Sequence, residues 1–403
     1  MKVHYKLNLL SLFIPSLLLL ASACSPIHNR KLIDHAERQS RIMLTEISKA
    51  ENQNGTLVSP RTLEGGKLKL VASKDWTSGF FAGQLWYLFE LSKDPKWEKE
   101  ARNYTVKIEK EKLNGSTHDM GFKIYCSCGN GYRLTAEQKY KDVIIQSAKT
   151  LSTRFNPIVG AIRSWDHNQD KWQYPVIIDN MLNLELLFAA TKLTGDSSFY
   201  KIAVTHANTT LKNHFRPDFS TWHVVGYDPL TGAIEKKSTH QGYTDESAWA
   251  RGQAWALYGF TMCFRETKNP QYLQQAEKIA KFIFSNKNLP IDLIPYWDFD
   301  APGIPDEPRD VSAAAIIASA LYELSVYSEF ENKYRLIADK MVKNITSQYR
   351  SARGANKGFI LDHSTGHKPH NSEINVPINY ADYYYIEALI RANRQKNKQP
   401  VVQ

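Results

Sequence analysis

The sequence predicts an all-α fold in which an inner ring of about six helices is wrapped by an outer ring of about six. Three observations predict it. Apolar residues recur at i, i+3, i+4 and i+7 along most of the chain, while strand-like alternation is scarce. The helical segments alternate between two kinds, some apolar almost all round, which marks buried elements, and others with one charged face. At roughly thirty residues per helix plus loop, the length fits eleven or twelve such segments. No regular sequence period supports a superhelical repeat array.

The elements follow in order. Residues 31–50 read as a first helix, and Gly79–Leu91 as a buried one opening on WTSGFFAG. Residues 95–111, Ala136–Arg154 and Ser197–His214 read as helices, with Asn180–Lys192 opening on IIDNMLNLE between the last two. Ser247–Glu266 opens on TDESAWARGQAW and is followed by Gln271–Asn286, which carries a charged face in QYLQQAEKIAKFIF. Ser312–Glu329 opens on PRDVSAAAI, Lys333–Tyr349 follows, and Tyr380–Asn393 opens on NYADYYYIEAL. The loops entering the apolar helices hold the aromatic and acidic residues. In a double ring those loops gather at one end and line a central pocket.

The ends read differently. Lys2 and Lys6 precede an apolar core, Leu7 to Ala21, interrupted by Asn8, Ser11, Pro15 and Ser16. This is an export signal over residues 1–23, too short and too interrupted for a convincing membrane span. Leu20-Ala21-Ser22-Ala23-Cys24 resembles a bacterial lipobox, so Cys24 is the expected site of lipidation, followed by a tether over 24–30. Its expected location is periplasmic, held at a membrane only through that anchor. Residues 31–395 are expected to form one domain, since no Pro/Gly/Ser linker splits them. The basic end from Arg391 to Gln403 is expected to fray, with 396–403 a flexible tail.

The formal charge of +10 falls to +8 once the two leader lysines are removed. Such an excess favours anionic partners. Lys and Arg are scattered rather than massed and the expected address is an exported one, which argues against nucleic acid and for acidic polysaccharide fragments. Cys126 and Cys128 lie too close in sequence for an easy mutual bridge. No further ligands of matching spacing accompany them, so no metal site is expected there. Cys263 falls in a helical pattern and packs as a small apolar residue.

The segment Gln241 to Phe260, QGYTDESAWARGQAWALYGF, is the most informative. Thr244 or Asp245 is placed to cap its helix. Ala248, Gly252, Ala256 and Gly259 form a smooth stripe that lets a neighbouring helix approach closely. Ser247, Arg251, Trp255 and Tyr258 form a second stripe, where a guanidinium beside aromatic faces suits a uronic acid; a structural carboxylate is the other partner open to Arg251. Two acids stand apart. Asp119 lies in Ser-Thr-His-Asp-Met-Gly-Phe, and Asp179 ends the apolar run Tyr174-Pro175-Val176-Ile177-Ile178 and opens a helix. An acid in apolar surroundings has its charged form disfavoured, which suits general-acid work, and a second carboxylate nearby adds to that effect. A plain helix cap for Asp179 and a polar turn at His118-Asp119 are the structural alternatives. Trp76, Trp165, Trp255 and Trp297 lie in or beside helix-entry loops, where indole faces stack on sugar rings or pack in the core. His223 in STWHVVG either orients a ligand or satisfies a loop backbone.

Taken together, WTSGFFAG, HDMGF, IIDNMLN, QGYTDESAWARGQAWALYG, PYWDFDAPGIPDEPRDVSAAAI and NYADYYYIEAL resemble the unsaturated glucuronyl hydrolases of glycoside hydrolase family 88, over essentially the whole mature chain. The resemblance implies an (α/α)6 barrel. It implies Asp179 as general acid/base and Asp119 as the second essential carboxylate. It implies Trp76, His118, Trp165, His223, Gln241, Arg251 and Trp255 as residues around the unsaturated uronate, with no metal or organic cofactor. The implied reaction hydrates the C4=C5 double bond that polysaccharide lyases leave. The related unsaturated rhamnogalacturonyl hydrolases, which act on pectin fragments and typically lack the second acid, are the runner-up, and a non-catalytic glycan-binding lipoprotein is a further alternative. Ser364, His367 and Lys368 in DHSTGHKPH form a loop able to meet a sulfate on the next sugar, or a solvated surface loop.

Overall fold

The computed structural model describes residues 29–50 and 55–402. Among the described residues, helices alternate between an inner and an outer ring. The outer helices are α1 (Asn29–Lys49), α3 (Pro95–Thr105), α5 (Gln138–Ser152), α7 (Ser197–Asn213), α9 (Pro270–Ser285) and α11 (Glu331–Asn344). The inner ones are α2 (Ser78–Ser92), α4 (Asn130–Thr135, continuing directly from a π-helix, Gly121–Gly129), α6 (Asn180–Thr194), α8 (Ala250–Thr267), α10 (Val311–Tyr327) and α12 (Asn379–Lys396). Each inner helix packs on the next, and α12 closes the ring on α2. This is the expected double ring.

The two layers follow from side-chain character. Every residue of α10 from Val311 to Ser325 is buried, so the helix sits wholly inside. In α9 only one stripe is buried, containing Tyr272, Ala276, Ile279 and Ile283. The reversals from inner to outer helix are built alike. Lys93, Gly195 and Lys268 end α2, α6 and α8 in the left-handed region, and the next residue (Asp94, Asp196 or Asn269) caps the outer helix with its side chain. A left-handed stop followed at once by a capping side chain turns the chain back in the shortest space. Glycine permits the close inner contacts: a Cβ on Gly121 would lie 2.7 Å from Asn183 Cα, and Gly259 sits directly against Met181, as its stripe predicts.

Three expectations are corrected. The helix after Tyr243 starts at Ala250, not near Thr244, and Trp249 at its N-cap makes no side-chain cap. The preceding loop is held by Asp298, whose Oδ2 accepts from Tyr243 N at 2.8 Å and Ser247 Oγ at 2.7 Å, and Asp245 Oδ1 accepts from Thr239 N. The segment after Asp119, read as a short turn, is the N-terminus of an inner helix. Arg391 does not fray: it is buried, and its guanidinium reaches Ser319 O, Tyr258 Oη and Glu323. The helix runs to Lys396 and Val401 is buried beyond it. The export signal and Cys24 lie outside the described residues.

Small antiparallel sheets decorate the helix-entry end: β1 (Leu57–Glu64) with β2 (Lys67–Ala72), β3 (Phe155–Asn156) with β4 (Ala161–Ile162), and the ordered trio β5 (Tyr174–Ile177), β6 (Val224–Tyr227) and β7 (Ile234–Ser238). No described helix is long and apolar enough to cross a membrane.

Candidate active site

The N-terminal ends of five of the six inner helices converge on a cavity of about 270 Å³. Trp76 precedes α2, Asp119 precedes the π-helix, Asp179 precedes α6, Arg251 opens α8 and Tyr380 opens α12, and all five line this cavity. Helix N-termini carry partial positive charge, so their convergence favours an anionic ligand.

Strand pairing delivers the two central groups. Ile177 pairs with Val224, and Ile178 N donates to His223 O at 3.0 Å, which sets Asp179 beside His223. Asp179 occupies the N-cap position of α6 in helical geometry, and its side chain makes no cap hydrogen bond. The plain-cap alternative is therefore not what the structure shows. Only 7% of the residue is exposed, and Oδ2 is buried without a hydrogen-bond partner among the described residues. Burial pushes the Asp179 pKa up from 3.8 to about 7. The charge of Asp119 adds to that rise, while Arg251 and the Trp255 indole oppose it. The acid is thus partly protonated at neutral pH, the condition for donating a proton there. Burial, rather than the neighbouring carboxylate, is the main cause.

His223 supports this arrangement. Its Nδ1 accepts the backbone N–H groups of His240 (3.1 Å) and Gln241 (3.2 Å). Burial holds its pKa well below the usual range, so the ring is neutral and carries its proton on Nε2. That nitrogen lies 3.7 Å from Asp179 Oδ2, too far for a hydrogen bond, but directed at the acid. Trp255 is fully buried beneath the site, packed on Phe122 and Tyr384, and its indole N–H, which acts on Asp179, makes no hydrogen bond of normal geometry among the described residues. It backs the acid rather than offering a ring face to a sugar.

The raised pKa has a consequence for stability. The folded state holds the Asp179 proton between pH 3.8 and about 7 while the unfolded state has released it. Stability therefore falls as pH rises through that window and is level above it. Asp179→Asn removes this cost, which a shift of that size puts at up to roughly 4 kcal/mol. The melting temperature of the variant should match wild type near pH 4 and exceed it by several degrees at pH 8. A difference independent of pH would show that Asp179 is not held neutral.

Asp119 is ordered from both sides. Thr117 Oγ1 donates to Oδ2 at 2.6 Å, and His118 Nε2 stands 3.2 Å from Oδ1. His118 is buried, and burial lowers its pKa. The two acids thus have contrasting settings on one cavity, one buried with an oxygen left unpaired among the described residues and one hydrogen-bonded.

Of the other expected residues, Trp76, His118, Trp165, Gln241 and Arg251 line the cavity. Trp165 stacks on His167 with centroids 5.1 Å apart. Arg251 is committed to the protein: Nη1 donates to Asp310 Oδ2 at 2.6 Å and Thr365 O at 2.7 Å, and Nη2 to Gly366 O at 2.6 Å. Its structural carboxylate is Asp310, which also caps α10 through Ser312 N and Ala313 N. Gln241 Nε2 likewise donates to Gly366 O, at 3.0 Å. Both residues tie the 364–373 loop across the pocket. Trp297 does not line the cavity; its indole N–H donates to Glu307 Oε2 at 2.8 Å. The same carboxylate oxygen takes Lys368 Nζ at 2.6 Å, and Ser364 is fully buried, so of the expected sulfate-facing trio only His367 reaches the cavity.

Sequence reasoning missed Arg61, His240, Glu373 and Tyr380 on the cavity wall. Arg61 donates to Glu373 Oε1 (2.5 Å), Glu373 Oε2 (2.9 Å) and Asp75 Oδ2 (2.8 Å). His240 adjoins Gln241 and Tyr380 opens NYADYYYIEAL, so both were within reach; Arg61, on an early strand, carried no signal.

A helical double ring that brings two carboxyl groups to one cavity suits acid/base chemistry on a bound ligand. The chain belongs to glycosyl hydrolase family 88, whose model matches residues 47–393. It is 54% identical over 323 residues to an unsaturated glucuronyl hydrolase of Formosa agariphila, covering 80% of each chain. It is 32% identical over 330 residues to an unsaturated chondroitin disaccharide hydrolase of Streptococcus agalactiae, covering 80% of this chain and 82% of the relative. The crystal structure of an unsaturated glucuronyl hydrolase specific for heparin superposes with a TM-score of 0.86 at 43% identity, covering 93% of this chain and all of that one.

Proposed function

We propose that this chain removes the 4,5-unsaturated uronate from the non-reducing end of lyase-generated glycosaminoglycan oligosaccharides by hydrating its vinyl ether. The observation that carries the reading is Asp179, a carboxylic acid held partly protonated at neutral pH on the cavity wall. Its proton goes to C4, and the positive charge that develops at C5 and the ring oxygen is taken up by water. The same carboxylate, now charged, accepts the proton that this water loses. The resulting C5 hemiketal opens, and the free aldehyde forms at C1 as the aglycone leaves with the glycosidic oxygen. One residue thus serves as acid and then base, with the neutral His223 ring beside it and Asp119 adding negative potential that favours its protonated form.

The names of the streptococcal and heparin-specific relatives, together with the net positive charge, support a glycosaminoglycan rather than a pectin fragment. The second acid at Asp119 supports the same choice. The leader sequence and lipobox at Cys24 support export and anchoring as a periplasmic lipoprotein.

A panel of lyase-generated disaccharides tests this reading. Heparin, chondroitin and hyaluronan products should lose the ultraviolet absorbance of the conjugated double bond, with one of them turned over fastest. Binding without any loss of absorbance would make the protein a glycan-binding lipoprotein, and turnover confined to pectin disaccharides would favour the rhamnogalacturonyl reading.

A further inference from the structure

We propose that His240, His367 and His370 form a binding site for a divalent transition ion of the zinc kind at the mouth of the pocket. The three residues come from two loops far apart in sequence, and the fold brings one ligand atom of each within 4.8 Å of the others. His240 Nε2 and His367 Nε2 are 3.4 Å apart. Two imidazole nitrogens around a tetrahedral zinc, each at about 2.0–2.1 Å, stand about 3.4 Å from one another, so this pair already has the required spacing. The His240 ring lies nearly perpendicular to both others, at 81° and 89°. The His370 ring stacks on His367 with centroids 3.9 Å apart and must rotate to bring its nitrogen in, which its exposed position allows.

The surroundings select the ion. The group contains no carboxylate among the described residues: Glu373 is committed to Arg61, and Glu307 to Lys368 and Trp297. The donor set is therefore imidazole nitrogen alone, which suits zinc, copper or nickel and not magnesium or calcium. The buried Nδ1 of His367 has no hydrogen-bond partner among the described residues, and its Nε2 faces only the His240 ring. His240 and His367 both line the catalytic cavity. An ion held between them would occupy part of that cavity and so compete with substrate.

The test uses the full chain, freed of metal by a chelator and then titrated calorimetrically with zinc salt in the absence of any sugar. One ion per chain should bind saturably, and cobalt in its place should give the visible absorption of a tetrahedral nitrogen site. Loss of an outer-shell partner alone weakens metal sites by about 10–100-fold, so H370A, which removes an exposed ligand, should weaken zinc by at least about tenfold. With substrate present, zinc should raise KM in the wild type and much less in H370A, whose turnover without zinc should be unchanged. Absence of saturable binding up to millimolar zinc, or equal affinity in wild type, H370A and H240A, would overturn the proposal. Because the calorimetry involves no substrate, that outcome leaves the hydrolase reading untouched.

Discussion

Asp179→Asn should lower kcat about a thousandfold or more, with KM nearly unchanged, the scale on which an essential proton donor acts. The amide keeps the shape and polarity of the site but has no proton acidic enough for C4. The wild-type pH profile should carry the same signature. With a pKa of about 7, activity falls as pH rises through neutrality because the proton to be donated has been lost. Asp119→Asn should also impair turnover severely, and the alkaline limb should move to lower pH, since the charge of Asp119 contributes to the raised pKa of Asp179. Near-normal kcat in Asp179→Asn, or an alkaline limb unmoved in Asp119→Asn, would take that residue out of the mechanism.

The second large effect is expected at Arg251, and it concerns the fold as much as the ligand. Arg251→Ala leaves the Asp310 carboxylate, fully buried, without its cation. Breaking a buried pair on one side costs about 3–5 kcal/mol, because a charge stays inside without compensation. The same change frees Thr365 O and Gly366 O, so the 364–373 loop loses its main tether across the pocket. Arg251 also lowers the Asp179 pKa, so its removal should carry the alkaline limb of the pH profile upward. Chemical denaturation should report the stability loss, and Arg251→Met combined with Asp310→Asn should recover part of it by removing both charges. A variant of full stability with only a raised KM would make Arg251 a ligand-reading residue alone.

The double ring was legible because layer membership is written in side-chain pattern: Val311–Ser325 is apolar enough to be buried all round, while α9 alternates a buried stripe with lysines and glutamines. The inner helix at 121–135 was not legible. Its first nine residues form a π-helix, which shifts the apolar repeat away from the α period, and glycines at 121, 129 and 131 break the pattern further. The β5–β6 pairing escaped for a related reason. All four residues of each strand are buried, so neither shows the alternation that marks a strand. The two acids were legible from local context, Asp179 from the apolar run before it. What sequence could not supply was the long-range accounting that sends Arg251 to Asp310 and Trp297 to Glu307. Those partners sit 59 and 10 residues away and follow from how the loops fold over one end of the ring.

The central claim is that Asp179 protonates C4 of a double bond rather than a glycosidic oxygen, and turnover in heavy water tests it most directly. The released sugar should carry one deuterium at C4, and the matching saturated glucuronide, which has no vinyl ether to protonate, should be inert. Product without deuterium at C4, or efficient cleavage of the saturated compound, would contradict the account and return Asp119 and Asp179 to the acid and nucleophile of conventional glycoside hydrolysis.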